Sequence, residues 1–500
     1  MVFFAVLLPH GAVAQSLSSR SHPAESAHIV ASDAPLPQAS AKPKIARSGL
    51  NIPGLPELHL SGTLRAYDFN RINEPTFAGN NPNREAFNFG GDLRAEYVLG
   101  KSGFTVGGAF WGAYPFGVNG PPSITKNNTK NNGVDNSLPG FDLETFEYYV
   151  KYDRKDASLS VGDQLLNKAW LPSSDSRIKP ALYQGADATF KTGQFALNVT
   201  RVTRFERREQ SLFDEGTLLT SAVSQPTSGA WRYGATWMPS KRFTGSFEKN
   251  DFLNIASLTY TEGRYQIDPH SHFAPFVAGQ FVGERHIGHA YLGIIDNQTS
   301  GIQLGFTPVK HVVFAASADY APWNYANINA ASLGAATSAA AKAYFLPGGG
   351  TGQYANPSGP GYATIGYLGG RSYRIAYGGI ASPYSDSYAT DPIYTTSITQ
   401  GIVDRHSAGT SYKGAFTYTS LDKQLVAIAS AAYYNYDTQF ARNRTSEFDA
   451  DVTYNFNRVR GGSYHGLSLR ERVGIRQQPF FANSAPGHFI YVRHQVQYTF

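Results

Sequence analysis

The chain has 500 residues, a formal net charge of +6 and no cysteine. The charge is too small to indicate a nucleic-acid partner, and the absence of thiols excludes a disulfide framework. No run of about 18 apolar residues follows the N-terminus, which excludes a bundle of membrane-spanning helices.

The N-terminal segment is typical of an exported protein. Residues 1–14 hold a short apolar core followed by Ala12, Val13 and Ala14, which predicts a secretory signal peptide, although its basic start is missing. The alternative is a frayed apolar N-terminus. Residues 15–56 are rich in Ser, Ala and Pro without periodicity and predict a disordered segment. A folded domain is therefore expected over residues 57–500.

From residue 57 onward, stretches of about ten alternating residues are separated by turns, and tilted strands of that length cross a bilayer. Short connections such as GKSG (100–103) alternate with long ones, the longest at 322–406. This asymmetry predicts an all-β fold, a transmembrane antiparallel β-barrel of about 18 strands with both termini on the short-turn side. A soluble sandwich or propeller, the alternative, would have to bury the charged strand faces without water.

Two of the long connections are expected to fold into the barrel. These extracellular loops span residues 165–187 and 322–406, and the second is too long for a simple hairpin tip. Its Gly/Ala-rich part, 331–361, is expected to be a disordered surface loop. The residues predicted to narrow the passage are Arg177, Lys179, Tyr183, Asp386, Asp391 and Tyr394.

Alternation also predicts which charges face the lumen. Neighbouring strands are expected to present a basic ladder formed by Arg470, Arg472, Arg476, Arg493, Arg65 and Arg94. The preceding strand is expected to form an acidic lumen wall of Glu447, Asp449 and Asp451. Guanidinium groups in series would let an anion move from one to the next. A wall of ion pairs that only stiffens the lumen is the other interpretation, and both stay open.

The last strand alternates up to a terminal aromatic residue. Closure requires it to pair with the first strand, so that no edge remains in lipid. Tyr498 and Phe500 are then expected in the periplasmic aromatic girdle. Phe500 also resembles the signal read by the outer-membrane assembly machinery, which is an expected partner.

Several stretches resemble the OprD-type substrate-specific porins of Gram-negative outer membranes, over residues 57–500. They are GTLRAYDFNR (62–71), GGDLRAEY (90–97), SRIKPALYQGAD (176–187), TDPIYTTS (390–397), GLSLRERVGIR (466–476) and HQVQYTF (494–500). The resemblance implies eighteen strands, a lumen narrowed by loops three and seven, and a basic ladder onto which Arg470, Arg472, Arg476 and Arg493 map. It also implies passage of small carboxylates, among them amino acids, peptides and aromatic acids.

The expected function is passive, selective diffusion of such solutes across the outer membrane, whose lipids surround the barrel, without catalytic residue, metal or cofactor. The alternatives are an outer-membrane barrel enzyme, a channel for hydrophobic compounds, or an adhesin without an open pore. An enzyme would need a nucleophile and a base at one rim. The 13 histidines are scattered and no G-x-S-x-G motif occurs. His270 and His272 are interpreted as part of a polar turn rather than a metal site.

Overall fold

The protein is described by a computed structural model. It covers residues 50–52, 55–73, 84–115, 143–173, 177–208, 210–218, 222–223, 225–289, 291, 295–322, 324–329, 363–367, 372–377, 380, 382–385, 392–399, 409–438, 441–456, 466–477 and 487–500. The predicted signal peptide, most of the predicted disordered segment and the Gly/Ala-rich stretch 331–361 lie outside these residues.

Eighteen antiparallel strands form a closed barrel, which confirms the predicted fold and strand number. They are β1 (Leu55–Ile72), β2 (Arg84–Val98), β3 (Phe104–Pro115), β4 (Leu143–Asp153), β5 (Ala157–Gln164), β6 (Leu182–Thr192), β7 (Phe195–Glu206), β8 (Ala230–Ser240), β9 (Phe243–Phe252), β10 (Ala256–Gln266), β11 (Phe276–His286), β12 (Asp296–Val309), β13 (Val312–Ala321), β14 (Gly409–Thr419), β15 (Leu425–Thr438), β16 (Ala441–Asn455), β17 (Leu467–Gln477) and β18 (His488–Thr499). A short strand, Leu50–Ile52, pairs with β1, so ordered chain extends upstream of the predicted start at residue 57.

The barrel closes between its first and last strands. β1 pairs with β18 from Thr63↔Thr499 to Ile72↔Ile490. The Phe500 amide donates to the Gly62 carbonyl at 3.0 Å, and the Gly62 amide donates back at 3.2 Å. The edge that a terminal strand would otherwise expose to lipid is thereby satisfied.

The wall has an apolar outside and a polar inside. On β18, Val496 and Tyr498 are 47% and 41% exposed, whereas Arg493, Gln495 and Gln497 are buried. A protein in water shows the opposite arrangement. Hydrocarbon around the barrel and water within it explain why alternation at period two produces this pattern.

The lengths of the connections at the two ends of the barrel differ less regularly than the sequence predicts. The predicted short turns between β2 and β3 and between β6 and β7 are present. On the long-loop side, however, β9 and β10 are joined by residues 253–255 alone, and β15 and β16 by 439–440. The strand count is unaffected because it depends on alternation within strands rather than on loop length. Among the described residues, no helix is long and apolar enough to cross a membrane.

Two extracellular connections occupy the barrel interior, as predicted. Loop 3 (residues 165–181) contains the paired segments Asn167–Lys168 and Leu171–Pro172. Loop 7 (residues 322–408) contains a three-stranded sheet of Asn324–Asn329, Ala363–Tyr367 and Ser372–Tyr377. Buried apolar side chains of both loops, among them Trp170, Leu171, Ile380 and Tyr384, pack on the β7–β11 side of the barrel. Their strand partners include Phe205, Phe252 and Tyr260. This core fills one side of the interior.

Candidate functional site

The inner wall opposite that core is basic. β17, β18 and β1 direct Arg470, Arg472, Arg476, Arg493 and Arg65 inward, and β2 adds Arg94. We call these six residues the basic wall. The outward neighbours Leu469 and Ile475 are exposed. Strand register therefore brings all six predicted ladder residues to one side of the lumen.

Part of the basic wall is paired with carboxylates. Arg470 donates to both Asp451 oxygens, Nε to Oδ1 at 2.9 Å and Nη2 to Oδ2 at 2.6 Å. Arg472 Nε also donates to Asp451 Oδ2, at 2.9 Å. Arg94 grips Glu147 through two hydrogen bonds of 3.0 and 2.7 Å. Such bidentate pairs fix guanidinium orientation, so Asp451 and Glu147 position three of the six groups.

The other two acidic-wall residues hold loop 7. The Thr399 amide and hydroxyl donate to the Glu447 carboxylate at 2.7 and 2.5 Å. The Ile398 amide donates to Asp449 Oδ2 at 3.3 Å. Carboxylates that accept backbone N–H groups satisfy donors that would otherwise be buried without a partner. Glu447 and Asp449 of the acidic wall therefore form the docking surface of loop 7.

Contacts from neighbouring strands extend this docking surface, and they bind residues 392–399 of loop 7. The Thr395 amide and hydroxyl donate to Asp319 Oδ2 at 2.9 and 2.7 Å. Tyr434 donates to the Thr395 carbonyl at 2.8 Å and lies 2.9 Å from the Ser397 hydroxyl. Lys413 donates to the Thr396 carbonyl at 2.5 Å. Three strands thus hold one short segment of the loop.

The two loops also meet over the basic wall. Ile178 of loop 3 and Ile398 of loop 7 belong to one buried cluster with Phe69, Phe489 and Tyr491. The Arg177 guanidinium lies 5.2 Å from the centre of the Phe69 ring. This contact places the meeting point of the two loops beside the basic wall.

Arginines of the wall anchor both loops in that region. Arg65 Nη1 donates to the Arg177 carbonyl at 2.9 Å. Arg476 Nη1 donates to the Thr399 carbonyl at 3.1 Å and to its hydroxyl at 3.0 Å, while its guanidinium lies 5.1 Å from the Phe489 ring centre. Loop position and guanidinium position are therefore coupled.

Lys179 and Tyr183, predicted to narrow the passage, are fully buried. Lys179 Nζ lies 2.6 Å from Glu206 Oε1, and the Tyr183 hydroxyl donates to the Tyr384 carbonyl at 2.6 Å. Both side chains therefore brace the loops instead of lining the passage. Glu206 carries no sequence signal beyond that of an acidic residue at the end of a strand.

Buried tyrosines of loop 7 make a second set of braces. The Tyr394 hydroxyl donates to Glu262 Oε1 at 3.0 Å, and burial, reinforced by the Glu262 charge, raises the pKa of Tyr394 well above its usual value. Burial likewise raises the pKa of Tyr384, whose hydroxyl lies 2.5 Å from that of Thr227. Both phenols therefore remain protonated at neutral pH. The predicted residues Asp386 and Asp391 lie outside the described part of the chain.

No group of three or more His, Asp or Glu side chains arranged to hold a metal ion occurs within the residues that the structure describes. The histidines of the β10–β11 turn lie on the surface. The His270 amide donates to Asp268 Oδ1 at 3.0 Å, and the His272 ring packs against Phe273 at 3.9 Å between ring centres. These contacts are those of a polar turn.

Solved structures with the same fold are outer-membrane porins. That of Pseudomonas aeruginosa OpdK with vanillate is 12% identical, with a TM-score of 0.64 over 89% of this chain and 99% of that one. A BenF-like porin from Pseudomonas fluorescens Pf-5 is 14% identical, with a TM-score of 0.64 over 89% and 99%. OccAB2 of Acinetobacter baumannii is 14% identical, with a TM-score of 0.63 over 90% and 99%.

Sequence comparison assigns the family. No curated protein sequence matches the chain. The model of the family described as "outer membrane porin, OprD family" matches residues 57–341, more than half of the chain. The chain therefore belongs to the OprD family of outer-membrane porins, and its barrel is a channel of the Gram-negative outer membrane.

Proposed function

We propose that this porin allows passive, selective diffusion of small carboxylate-bearing solutes, namely amino acids, short peptides and organic or aromatic acids. The observation that carries the proposal is the run of inward arginines on three adjacent strands. Across 63–72, 467–477 and 488–499, the inward side chains that the structure describes include no carboxylate. An anion that follows this wall passes guanidinium groups in succession, of which Arg65 and Arg472 are only partly buried. The wall arginines Arg94, Arg470, Arg476 and Arg493 are buried behind them.

The pairing of Arg470 and Arg472 supports exchange rather than trapping. The two guanidinium groups share the single carboxylate of Asp451. A solute carboxylate could replace one of these contacts without leaving Asp451 unpaired, which keeps the exchange inexpensive. Arginine retains its charge throughout because its pKa is above about 12. Ion pairing and a conducting ladder are therefore compatible on this wall.

Aromatic rings beside the arginines suit solutes with an apolar body. Arg177 lies over Phe69 and Arg476 over Phe489, at the place where loops 3 and 7 meet. A small movement of either loop would offer a ring face and a guanidinium group together, which fits an aromatic acid. The structure of OpdK with vanillate, an aromatic carboxylate, supports including this class.

The competing functions fit the lumen less well. A channel for hydrophobic compounds requires an apolar inner wall, whereas charged residues line this one. An adhesin would keep its pore closed, and an enzyme would release product from lipid or peptide. We propose that the chain carries out no covalent chemistry and that the outer-membrane assembly machinery recognises its Phe500 end.

A liposome-swelling panel tests the proposal. The purified protein is reconstituted into liposomes, and the swelling rates in carboxylates, uncharged sugars and cationic amino acids of similar size are compared. The carboxylates are expected to enter fastest. Arg472→Gln should reduce that preference, whereas Arg285→Gln should not, because Arg285 is 76% exposed outside the barrel. Equal entry of sugars and carboxylates, or no swelling at all, would overturn the proposal.

A further inference from the structure

Positive charge on the outer surface of the barrel is concentrated in one sector. Arg201 of β7, Lys249 of β9 and Arg285 of β11 lie near the extracellular ends of their strands, and we call them the cationic sector. They face away from the lumen, because a neighbour of each along its strand is buried inside the barrel. Outside β7–β12, the upper wall has one described outward arginine and otherwise carboxylates, respectively Arg444 and, among others, Asp68, Glu144 and Glu471.

The three cations are spread across the wall at nearly one height. Strand register places Arg201 and Arg285 at the same level, through the outward residues that lie between them: Trp231, Asp251 and Ser257. Lys249 lies two residues nearer the periplasm than Asp251, on the same face of β9. Neighbouring strands are about 4.8 Å apart, so Lys249 is roughly 10 Å across the wall from each arginine. A headgroup with two negative charges could therefore contact two of the cations at once.

Arg201 is held in place by the backbone around it. Among the described residues its guanidinium donates to three carbonyls, those of Val202, Ser228 at 2.8 Å and Ala230 at 3.2 Å, and it lies 5.3 Å from the centre of the Trp231 ring. Gly229 leaves the space for this arrangement, because its φ is +88° and a Cβ there would lie 2.8 Å from Arg201 Nη1. A guanidinium has five N–H donors, so at least two remain for an acceptor outside the chain.

The carboxylates of this part of the wall do not neutralise it. Lys249 Nζ lies 3.8 Å from Asp251 Oδ1, and Arg285 Nε lies 3.7 Å from Asp296 Oδ1. Both distances exceed that of a hydrogen bond, and the side chains of Lys249 and Arg285 are 47% and 76% exposed. Ion pairs of this kind are weak. With Arg204, also exposed on β7, four cations face two carboxylates, which leaves a net charge of +2.

An apolar surface continues from the cations towards the middle of the membrane. On the same strands the next outward residues include Leu197, Phe247 and Phe281, and all three are exposed. Trp231 and Tyr233 lie beside the cations, with their rings stacked 6.0 Å apart between centres. Exposed aromatic rings mark where a barrel meets the lipid–water interface. The cations therefore lie at the level of lipid headgroups, and the apolar surface lies at the level of acyl chains.

We propose that the cationic sector binds a phosphorylated lipid of the outer leaflet, with its phosphate groups on Arg201, Lys249 and Arg285 and its acyl chains on the apolar surface beside them. Guanidinium groups match the oxygens of a phosphate group. A soluble anion would use the cations alone, whereas a lipid uses both parts of this surface. The site lies outside the pore, so the inference does not depend on which solute crosses it.

Native mass spectrometry of the purified barrel in mild detergent tests the site, with lipid A that carries two phosphate groups as the probe. The natural chain should bind this lipid in preference to lipid A without phosphate groups, and added salt should weaken the binding. Arg201→Gln, Lys249→Gln and Arg285→Gln, combined in one chain, should weaken it at least about tenfold, since the charge-assisted contacts are lost. The matched control removes the same charge from exposed periplasmic turns and should bind normally: Lys101→Gln, Lys155→Gln and Lys241→Gln.

A single substitution keeps the test independent of folding, because Arg201 also bonds to the backbone. Lys249→Gln alone should weaken binding roughly threefold, and Lys241→Gln should not change it. Equal binding of the two forms of lipid A, equal affinity of the Lys249→Gln and Lys241→Gln variants, or equal losses in the two combined variants would overturn the proposal. Displacement of the lipid by millimolar inorganic phosphate would also overturn it, because the site would then recognise a free anion.

Discussion

The ion pair between Lys179 of loop 3 and Glu206 of β7 offers a quantitative test of how the loop is held. Both side chains have 0% exposure and their charged atoms are 2.6 Å apart. Thr145 also donates to Glu206 at 2.9 Å. Removal of one partner from a buried pair leaves an uncompensated charge and costs about 3–5 kcal/mol. Lys179→Met should therefore weaken the docking of loop 3 by that amount, at least about 100-fold in the docking equilibrium.

Hydrogen exchange provides the assay, because docking of loop 3 protects its backbone amides. In Lys179→Met, peptides that cover 165–181 should exchange faster, and single-channel recordings should become noisier, while strand amides stay protected. Lys168→Met is the matched control. Its ion pair with Asp187, at 3.0 Å, keeps 22% and 15% exposure, so its loss should cost about 1 kcal/mol.

The double substitution Lys179→Met with Glu206→Leu should restore much of the protection, because no unpaired charge then remains. Unchanged exchange of residues 165–181 in Lys179→Met would refute the view that this pair holds the loop. Faster exchange of the whole barrel would instead show that the pair stabilises the wall.

Three further outcomes follow from the contacts of the wall. Tyr434→Phe removes the hydroxyl contacts to loop 7 and should destabilise its docking by about 1–2 kcal/mol, seen as added current noise, whereas Tyr433→Phe on the exposed outer face should be silent. Gly91→Ala should abolish barrel folding in a heat-modifiability gel, because Gly91 has φ of +147° and a Cβ there would overlap the Thr63 carbonyl. Gly414→Ala, with open space around it, should fold normally. Deletion of Phe500 should lower the amount of barrel in the outer membrane, since it removes the pairing with Gly62 and the proposed assembly signal; equal amounts of both proteins by immunoblot would contradict this.

The period-two alternation of the sequence was sufficient to predict the barrel and to predict which side chains point inward or outward. In β17, alternation placed Arg470, Arg472 and Arg476 opposite Leu469 and Ile475, as in the structure. A period of two admits only two facings, and a bilayer with a water-filled lumen makes them chemically distinct. Strand number followed from the same signal.

Loop interiors were predicted less well. Lys179 and Tyr183 were expected to line the passage because basic and aromatic residues in an inward loop suit a solute. Their partners, Glu206 and Tyr384, lie 27 and 201 positions further along the chain. Nothing local in the sequence indicates such distant pairings, and a fully buried lysine looks the same in a sequence as one facing water.

The amino-acid order by itself therefore determined which residues meet hydrocarbon, which meet the lumen, and that the first and last strands must pair. Tertiary structure alone decided which inward charges pair with one another and which of them hold the loops. The physical reason is the sequence distance over which each property is set. Whether a side chain faces lipid or lumen depends on alternation between adjacent residues, whereas side-chain pairing depends on strand register and loop docking across the whole barrel.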